Sequence, residues 1–222
     1  MVYKFKKAYY ILILFLLLFS SSSMADKAVV FSENLQEIEK AAASAVRLEV
    51  YNDHDIKIGT GSGFAFGEPA VLVTAEHVLK NAEYLIATRD DTTTFRVDHF
   101  IATDHEADIA ICELPDEAGL RPLNPGVSEP LRGAHVVVIG SQFGLTNLVS
   151  MGNVSGFWNT SKMDWILFTA PVSSGCSGSP MIDEEGNVIG IVTGTYDKAQ
   201  NLNLAAPISR LDSLINTSSI NQ

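Results

Sequence analysis

The chain has few of the residues that form metal, cofactor and nucleotide sites. Its two cysteines, Cys112 and Cys176, lie far apart and outside any C-x-x-C motif, and its five histidines form no HExxH-like pair. The glycines of Gly59–Gly63 lack the spacing and following helix of a nucleotide loop, which indicates a tight strand crossing instead. We therefore expect no metal and no cofactor. In an exported protein the cysteines could pair, but we expect two separate thiols.

Basic residues are also scarce. Lys and Arg number 15 against 26 Asp and Glu, which gives a formal net charge of −11. Removal of residues 1–25, which hold three Lys and no acid, would take this charge to about −14. Nucleic acids and anionic membranes bind basic faces. Neither is therefore expected as a partner, and solubility explains the acidity.

Only the N-terminus carries a long hydrophobic run. Three Lys within the first seven residues precede the apolar segment Tyr9–Phe19, and small residues follow up to Ala25. This order is typical of a signal peptide, and the run is short for a membrane span. We predict a signal peptide over residues 1–25 and a secreted or periplasmic mature protein with no integral membrane span. The alternative is an uncleaved N-terminal anchor.

After residue 25 the sequence pattern is first helical and then, from Val46, strand-like. Segment 26–45 has apolar residues at helical spacing and predicts a short helix. From Val46 onward, short alternating runs recur between Gly, Asn, Asp and Pro, as in an all-β barrel or sandwich. The predicted divisions are a first β-barrel over 46–114, a linker over 115–133, a second β-barrel over 134–212, a short helix over Ile208–Ile215 and a flexible tail over 213–222.

A tight turn over Gly175–Pro180 presents the hydroxyl of Ser177. Gly175 and Gly178 allow the turn to direct the backbone amides of Gly175 and Ser177 to one place, where they could stabilise an oxyanion. The amide of Cys176, between them, could contribute. A serine-rich surface turn is the alternative interpretation.

Two other residues could activate this serine. His77 directly follows a predicted strand, and a histidine is the natural base for a serine hydroxyl. Asp108 begins an apolar strand, from which its carboxylate could orient the histidine. Each alone is more typical of an ordinary surface or strand-end residue. The order His77, Asp108, Ser177 is one of the recurring orders of a catalytic triad, so together they predict nucleophilic catalysis.

Over roughly residues 30–212 the chain resembles a known family. The motifs that carry the resemblance include Gly59–Phe64, Val73–Val78, Asp104–Ala110, Gly175–Pro180 and Val188–Gly194. They are similar to those of the trypsin-like (chymotrypsin-fold) serine endopeptidases, and most of all to the HtrA/Deg-type protease domain.

The resemblance implies two six-stranded antiparallel β-barrels with the active site between them, and polypeptide substrates. It assigns His77 as general base, Asp108 as its orienter and Ser177 as nucleophile. Only 45 residues follow Ser177, so we expect no PDZ domain. Cys176 stands where the family usually has Asn or Asp, and no Ile-Val-Gly-Gly start is present. Activity without zymogen cleavage is therefore expected.

The same resemblance places the substrate-binding residues on two segments. They are Pro171, Val172, Val192, Thr193, Gly194 and Thr195. Because none is charged and several are small and apolar, we expect a small or medium aliphatic side chain before the scissile bond. Thr193–Thr195 is expected to pair with the substrate backbone as an edge strand, with the Thr193 hydroxyl bonded to Asp108.

Two other functions compete with proteolysis. One is a peptide-binding or chaperone-like module on the same fold, without turnover. The other is redox regulation through Cys112 or Cys176. The complete His, Asp and Ser set favours the peptidase, and the oligomeric state is left open by the sequence.

Overall fold

The computed structural model describes residues 34–126, 129–196 and 201–220, so the predicted signal peptide lies outside the described residues. All strands of the described residues belong to one compact unit, Ile38–Gln222. The helix α1 covers residues 34–42 of the described chain.

The first β-sheet contains seven antiparallel strands. In chain order they are β1 Ala45–Tyr51, β2 Lys57–Phe66, β3 Val71–Thr74, β4 Tyr84–Thr88, β5 Thr94–Val97, β6 Phe100–Asp104 and β7 Ile109–Glu113. Their order across the sheet is β5-β4-β1-β2-β3-β7-β6.

This first sheet differs from the expected six-stranded barrel, because it has seven strands and its two edge strands, β5 and β6, are not paired with each other. Only Asp98 and His99 separate these two edge strands. A link of two residues spans about 10 Å at most. The sheet therefore curls until its edges come close, and it approaches a barrel without complete pairing.

The alternation of apolar and polar residues explains why β1 lies at the centre of this sheet. Val46, Leu48 and Val50 are almost fully buried, whereas Arg47 and Glu49 point to the other face. Arg47 donates to the Glu49 carboxylate at 3.2 Å. Burial of an aliphatic side chain stabilises a fold by about 1.5–3 kcal/mol, so this register is strongly favoured.

The second sheet is a closed six-stranded barrel. Its strands are β8 His135–Gly140, β9 Leu148–Asn159, β10 Asp164–Phe168, β11 Pro180–Ile182, β12 Val188–Thr195 and β13 Asn203–Pro207, in the order β10-β13-β12-β11-β8-β9. The predicted all-β, chymotrypsin-like class is thereby confirmed.

The segment that connects the two sheets forms short bridges with both of them. It begins with a 3-10 turn at Asp116–Ala118. Leu123 then pairs with Phe66 of the first sheet, and Pro125 pairs with Val188 of the second. The connection thus adds short bridges to both sheets.

Apolar side chains form three clusters. One lies within the first sheet and one within the closed barrel. The third contains residues of both sheets, including Phe64, Ile109, Ile139 and Ile191, together with Leu211 of the C-terminal helix. This shared cluster fixes the two sheets against each other, so side chains from both can build one site.

The C-terminal helix α2, Ile208–Ile220, continues past the predicted end at Ile215. The tail expected to be flexible from residue 213 is therefore helical up to Ile220. Leu214 and Ile215 pack against the shared apolar cluster, and serine and threonine hydroxyls bond to carbonyls one turn earlier. Within the described residues, no helix combines the length and apolar character needed to cross a membrane.

Candidate active site

His77 and Asp108 form a close pair at the end of two neighbouring strands. Pairing of β3 with β7 places Thr74 opposite Ala110, so the residues just outside these strands meet. The Asp108 Oδ2 atom lies 2.7 Å from His77 Nδ1, and Oδ1 accepts the His77 backbone N–H at 2.9 Å. One carboxylate thus holds both the ring and the backbone of His77.

This pairing determines the protonation chemistry of His77. The hydrogen bond to Asp108 raises the pKa of the imidazole, burial opposes the rise, and the charges of Asp108 and Glu76 add to it. With Nδ1 donating to Asp108, the other ring nitrogen is left as an acceptor. The side chain is 48% exposed, so this nitrogen can act as a base toward a group in the site.

Ser177 lies on a turn whose shape depends on glycine. The Cys176 N–H donates to the Ser173 carbonyl at 3.0 Å, and Gly175 between them has φ of 100°. A type II turn requires a positive φ at this position. A Cβ on Gly175 would overlap the Ser141 carbonyl, and one on Gly178 would overlap the Ser62 carbonyl. Glycine is therefore required at both positions, because the neighbouring backbone carbonyls leave no room for a side chain.

A residue of the first sheet anchors this turn. Ser62 of β2 is fully buried, and its hydroxyl donates to the Gly175 carbonyl at 2.7 Å. The same hydroxyl accepts the Ser141 N–H at 2.9 Å. The Ser62 N–H donates to the Ser177 carbonyl at 2.8 Å. Both carbonyls beside the predicted oxyanion site are thus held by one serine.

The turn also lies against the segment that carries His77. A Cβ on Gly61 would lie 2.8 Å from the Val78 side chain and 3.3 Å from the Ser177 carbonyl oxygen. A Cβ on Gly178 would lie 2.8 Å from the Ala75 nitrogen. Within the described residues, no hydrogen bond joins the His77 ring to the Ser177 hydroxyl. Such bonds commonly tighten only when substrate is bound.

The backbone amides that were predicted to form the oxyanion hole differ in their hydrogen bonding. Among the described residues, the N–H groups of Gly175 and Ser177 have no hydrogen-bond acceptor. The Cys176 N–H is already donated to Ser173. The prediction that the Cys176 amide contributes to an oxyanion hole is therefore wrong, because closing the turn uses that donor.

The predicted bond between Thr193 and Asp108 is also wrong. The Thr193 hydroxyl donates to the Leu204 carbonyl at 3.4 Å. A hydroxyl has one proton to donate, so this bond excludes a simultaneous one to a carboxylate. The cause is a bulge in β12 between Val192 and Gly194, which directs the Thr193 side chain toward β13.

The other predicted substrate-binding residues differ in exposure. Val192 is 1% exposed and packs in the barrel core, so the expectation that its side chain lines a specificity pocket is wrong. Pro171 and Thr195 are exposed, and Val172 and Gly194 are half-buried. The strand β12 pairs with β11 only as far as Ile191, which leaves the neighbouring segment Thr193–Thr195 beyond the end of that ladder.

Both cysteines are buried free thiols, as expected. Burial raises the pKa of Cys112 to about 12 and raises the pKa of Cys176 as well. Cys112 packs in the first sheet and Cys176 in the barrel. In the described parts of the chain, no three His, Cys, Asp or Glu side chains converge to hold a metal ion.

Two further residues of this region escaped the sequence analysis. Ser62 lies in the Gly59–Gly63 run, and the prediction for this run concerned only its glycines. The position of Ser62 between two glycines is the signal that could have identified it. Asn147 is buried, and its side-chain amide donates to the carbonyls of Ala42 at 2.9 Å and Ala45 at 2.8 Å. No sequence motif marks it.

A comparison with known protein families matches the part of the chain that carries these residues. The model of the trypsin-like peptidase domain matches residues 61–191, which include His77, Asp108 and Ser177. The chain belongs to the trypsin-like peptidase family. The matched region contains most of both sheets, so this trypsin-like peptidase domain makes up most of the described chain.

Two relatives illustrate the similarity of this trypsin-like peptidase. Serine protease HTRA1 of Xenopus tropicalis is 36% identical over 171 residues, which cover 70% of this chain and 37% of the relative. Anti-sigma-I factor RsgI9 of Acetivibrio thermocellus is 31% identical over 173 residues, which cover 78% of this chain and 24% of the relative. The chain thus spans well under half the length of these relatives.

Solved structures share the trypsin-like peptidase fold. The HtrA-type protease AlgW with tripeptide gives a TM-score of 0.74 at 23% identity, covering 83% of this chain and 62% of that one. The Rv3671c protease from M. tuberculosis, in its active form, gives 0.74 at 21% identity, covering 81% and 82%. At these identities the match concerns the fold.

Proposed function

We propose that the protein is a serine endopeptidase that uses His77, Asp108 and Ser177 as a catalytic triad. The observation that carries this proposal is the His77–Asp108 pair at 2.7 Å beside a glycine turn that holds Ser177. Membership of the trypsin-like peptidase family supports the same chemistry.

The proposed reaction follows from the roles of these groups. His77 takes the proton of the Ser177 hydroxyl as its oxygen attacks the scissile carbonyl. The N–H groups of Gly175 and Ser177 donate to the oxyanion of the tetrahedral intermediate. His77 then gives its proton to the leaving amine, and a water hydrolyses the acyl-enzyme by the reverse sequence. Asp108 holds the imidazole in the required tautomer and stabilises the imidazolium.

We further propose that the substrates are exported or misfolded polypeptides with a small or medium aliphatic residue before the scissile bond. Pro171, Val172 and Gly194 support this preference, because none brings a charge to the neighbouring surface. The basic, apolar and small-residue order over residues 1–25 supports export. N-terminal sequencing of the protein recovered outside the cytoplasm should begin just after Ala25.

A fluorophosphonate probe tests the nucleophile directly. The wild-type protein should be labelled and should cleave an unfolded protein substrate, and Ser177→Ala should do neither. Ser174→Ala, which removes an exposed hydroxyl from the same turn, is the matched control and should still be labelled. Labelling that persists in Ser177→Ala would contradict the assignment, whereas peptide binding without labelling would favour a non-catalytic binding module.

A further inference from the structure

A cavity opens directly beside His77, on the first sheet. It has a volume of about 450 Å³ and is lined by His77 and Val78 together with residues of the β1–β2 hairpin, including Val50, Ile58 and Thr60. This volume lies within the range of protein ligand pockets. The residues that were predicted to bind substrate lie on the second sheet or in the loop between its strands β10 and β11, so the cavity is an additional surface of the site.

The charge of this cavity contrasts with that of the whole protein. Its lining includes Lys80 and no acidic residue, although the net charge of the chain is −11. Within the described residues, the Lys80 side chain is exposed and has no carboxylate partner within ion-pair distance. The Lys80 N–H donates to the His77 carbonyl at 3.3 Å. This bond holds the backbone of Lys80 next to the histidine, and the exposed side chain forms part of the cavity lining.

The chemistry of peptide cleavage indicates which part of a substrate reaches this cavity. The leaving amine must receive its proton from His77, so the residue after the scissile bond lies on the His77 side of the site. The residues before the scissile bond extend the other way, toward β12. A cavity lined by His77 itself is therefore placed to receive side chains of the leaving peptide.

We propose that this cavity binds the first one or two residues after the scissile bond and that Lys80 selects an acidic side chain there. The inference rests on the proposed endopeptidase function. Ile58 is 43% exposed and offers an apolar wall for the methylene groups of a glutamate. Lys80 pairs with the glutamate carboxylate at the solvent-facing side.

Three peptides that differ only in the residue after the scissile bond test this proposal. They carry Glu, Gln or Lys at the first position, with a second set varied at the next position. For an ion pair open to solvent, the wild-type protein should favour Glu over Gln by about two- to five-fold in kcat/KM at low salt. It should disfavour Lys by a similar factor, and added salt should reduce both differences.

Charge reversal at Lys80 gives the sharper result. Lys80→Gln should equalise the Glu and Gln peptides, and Lys80→Glu should invert the order so that the Lys peptide is preferred. Lys57→Gln is the matched control. Lys57 belongs to the same hairpin but pairs with Glu49 and lies outside the lining, so this variant should keep the preference for Glu.

The possible failures are distinguishable. Equal cleavage of the Glu and Gln peptides at both positions by the wild-type protein would overturn this inference but not the proposed function. A preference for Glu that persists in Lys80→Glu would overturn it as well. Absence of any Ser177-dependent cleavage would overturn the proposed function, and this inference with it.

Discussion

The hydroxyl of Ser62 donates to the carbonyl oxygen of Gly175 at 2.7 Å, and this bond joins the first sheet to the turn that precedes Ser177. The bond fixes the peptide between Gly175 and Cys176. The Cys176 N–H of that peptide closes the turn on Ser173. Since the turn sets the direction of the Gly175 amide, a buried serine outside the triad supports the oxyanion site.

Replacing Ser62 should therefore impair turnover more than substrate binding. Ser62→Ala leaves the Gly175 carbonyl and the Ser141 N–H without their partner. We expect kcat to fall about ten- to a hundred-fold, less than or comparable to the loss of one oxyanion donor, with little change in KM. Steady-state kinetics on a peptide substrate measures both. The control is Ser44→Ala, which removes the hydroxyl of another buried serine that donates to Lys40. Equal effects of the two variants on kcat would contradict the role of Ser62.

The raised pKa of His77 predicts the pH dependence of activity. The base must be neutral, so kcat/KM should rise with pH, with a midpoint above the ordinary histidine pKa of about 6.5. Asp108→Asn removes the main cause of the raised pKa. It should move the midpoint down and reduce kcat by about four orders of magnitude. A midpoint at or below the ordinary value in the wild-type protein would contradict the pairing.

The same pKa links His77 to stability. Because the pKa of His77 is raised in the folded protein, the folded state binds this proton more tightly than the unfolded state does. At a pH below the unfolded-state pKa, the His77–Asp108 pair therefore contributes its full stabilisation. This contribution is lost as the pH rises through the folded-state pKa. The effect should be small because the imidazole is 48% exposed and solvent screens the interaction. Urea unfolding of wild type and Asp108→Asn across this pH range measures it. A stability gap between them that widens with pH would contradict it.

The buried thiols predict resistance to alkylation. Thiolates are the reactive form, and burial raises the pKa of both cysteines. Iodoacetamide at neutral pH should therefore leave the native protein unmodified and active, and should modify both thiols in urea. Mass spectrometry counts the modified residues. Cys176→Ala should remain active, because the Cys176 amide closes the turn and its thiol is not the proposed nucleophile. Rapid inactivation of wild type by the reagent, absent in Cys176→Ala, would favour redox regulation.

The sequence predicted the parts of the site that local patterns determine. The strand-like alternation placed His77 after one strand and Asp108 before another, and the Gly175–Pro180 turn marked Ser177. These features depend on neighbouring residues, so their spacing is visible in one dimension. Their separation in space depends on the pairing of β3 with β7, and these strands lie far apart in the sequence, so no local pattern shows that they are neighbours.

The errors concern features that depend on tertiary contacts. The bulge in β12 turned Thr193 toward Leu204. Gly194 within the strand is a local sign of a bulge, but it does not show which way the Thr193 side chain turns. The helix α2 extends to Ile220 because Leu214 and Ile215 reach an apolar cluster made by both sheets. Intrinsic propensity alone ended that helix too early.

Asn147 joins the loop after β8 to the start of β1 and the residues just before it. Its amide donates to the carbonyls of Ala42 and Ala45, and the residue is 8% exposed with φ of 50°. The same loop contacts the turn before Ser177, since the Phe143 N–H donates to the Ser174 carbonyl at 3.1 Å. Asn147 therefore secures a loop that the proposed oxyanion site uses.

Asn147→Asp keeps the size of the side chain but removes both donated bonds and directs a carboxylate at two carbonyl oxygens. We expect the free energy of unfolding to fall by about 1–3 kcal/mol, as for buried groups that lose their partners. Asn147→Gly also removes the side-chain amide, but glycine accepts a positive φ without strain. It should also destabilise, which would assign the loss to the amide bonds and not to backbone strain. Asn81→Asp is the control: Asn81 has φ of 61° but is exposed, so its effect should stay within about 0.5 kcal/mol. Urea unfolding of the three variants measures these differences, and equal stability of Asn147→Asp and wild type would mean that the two amide bonds contribute nothing.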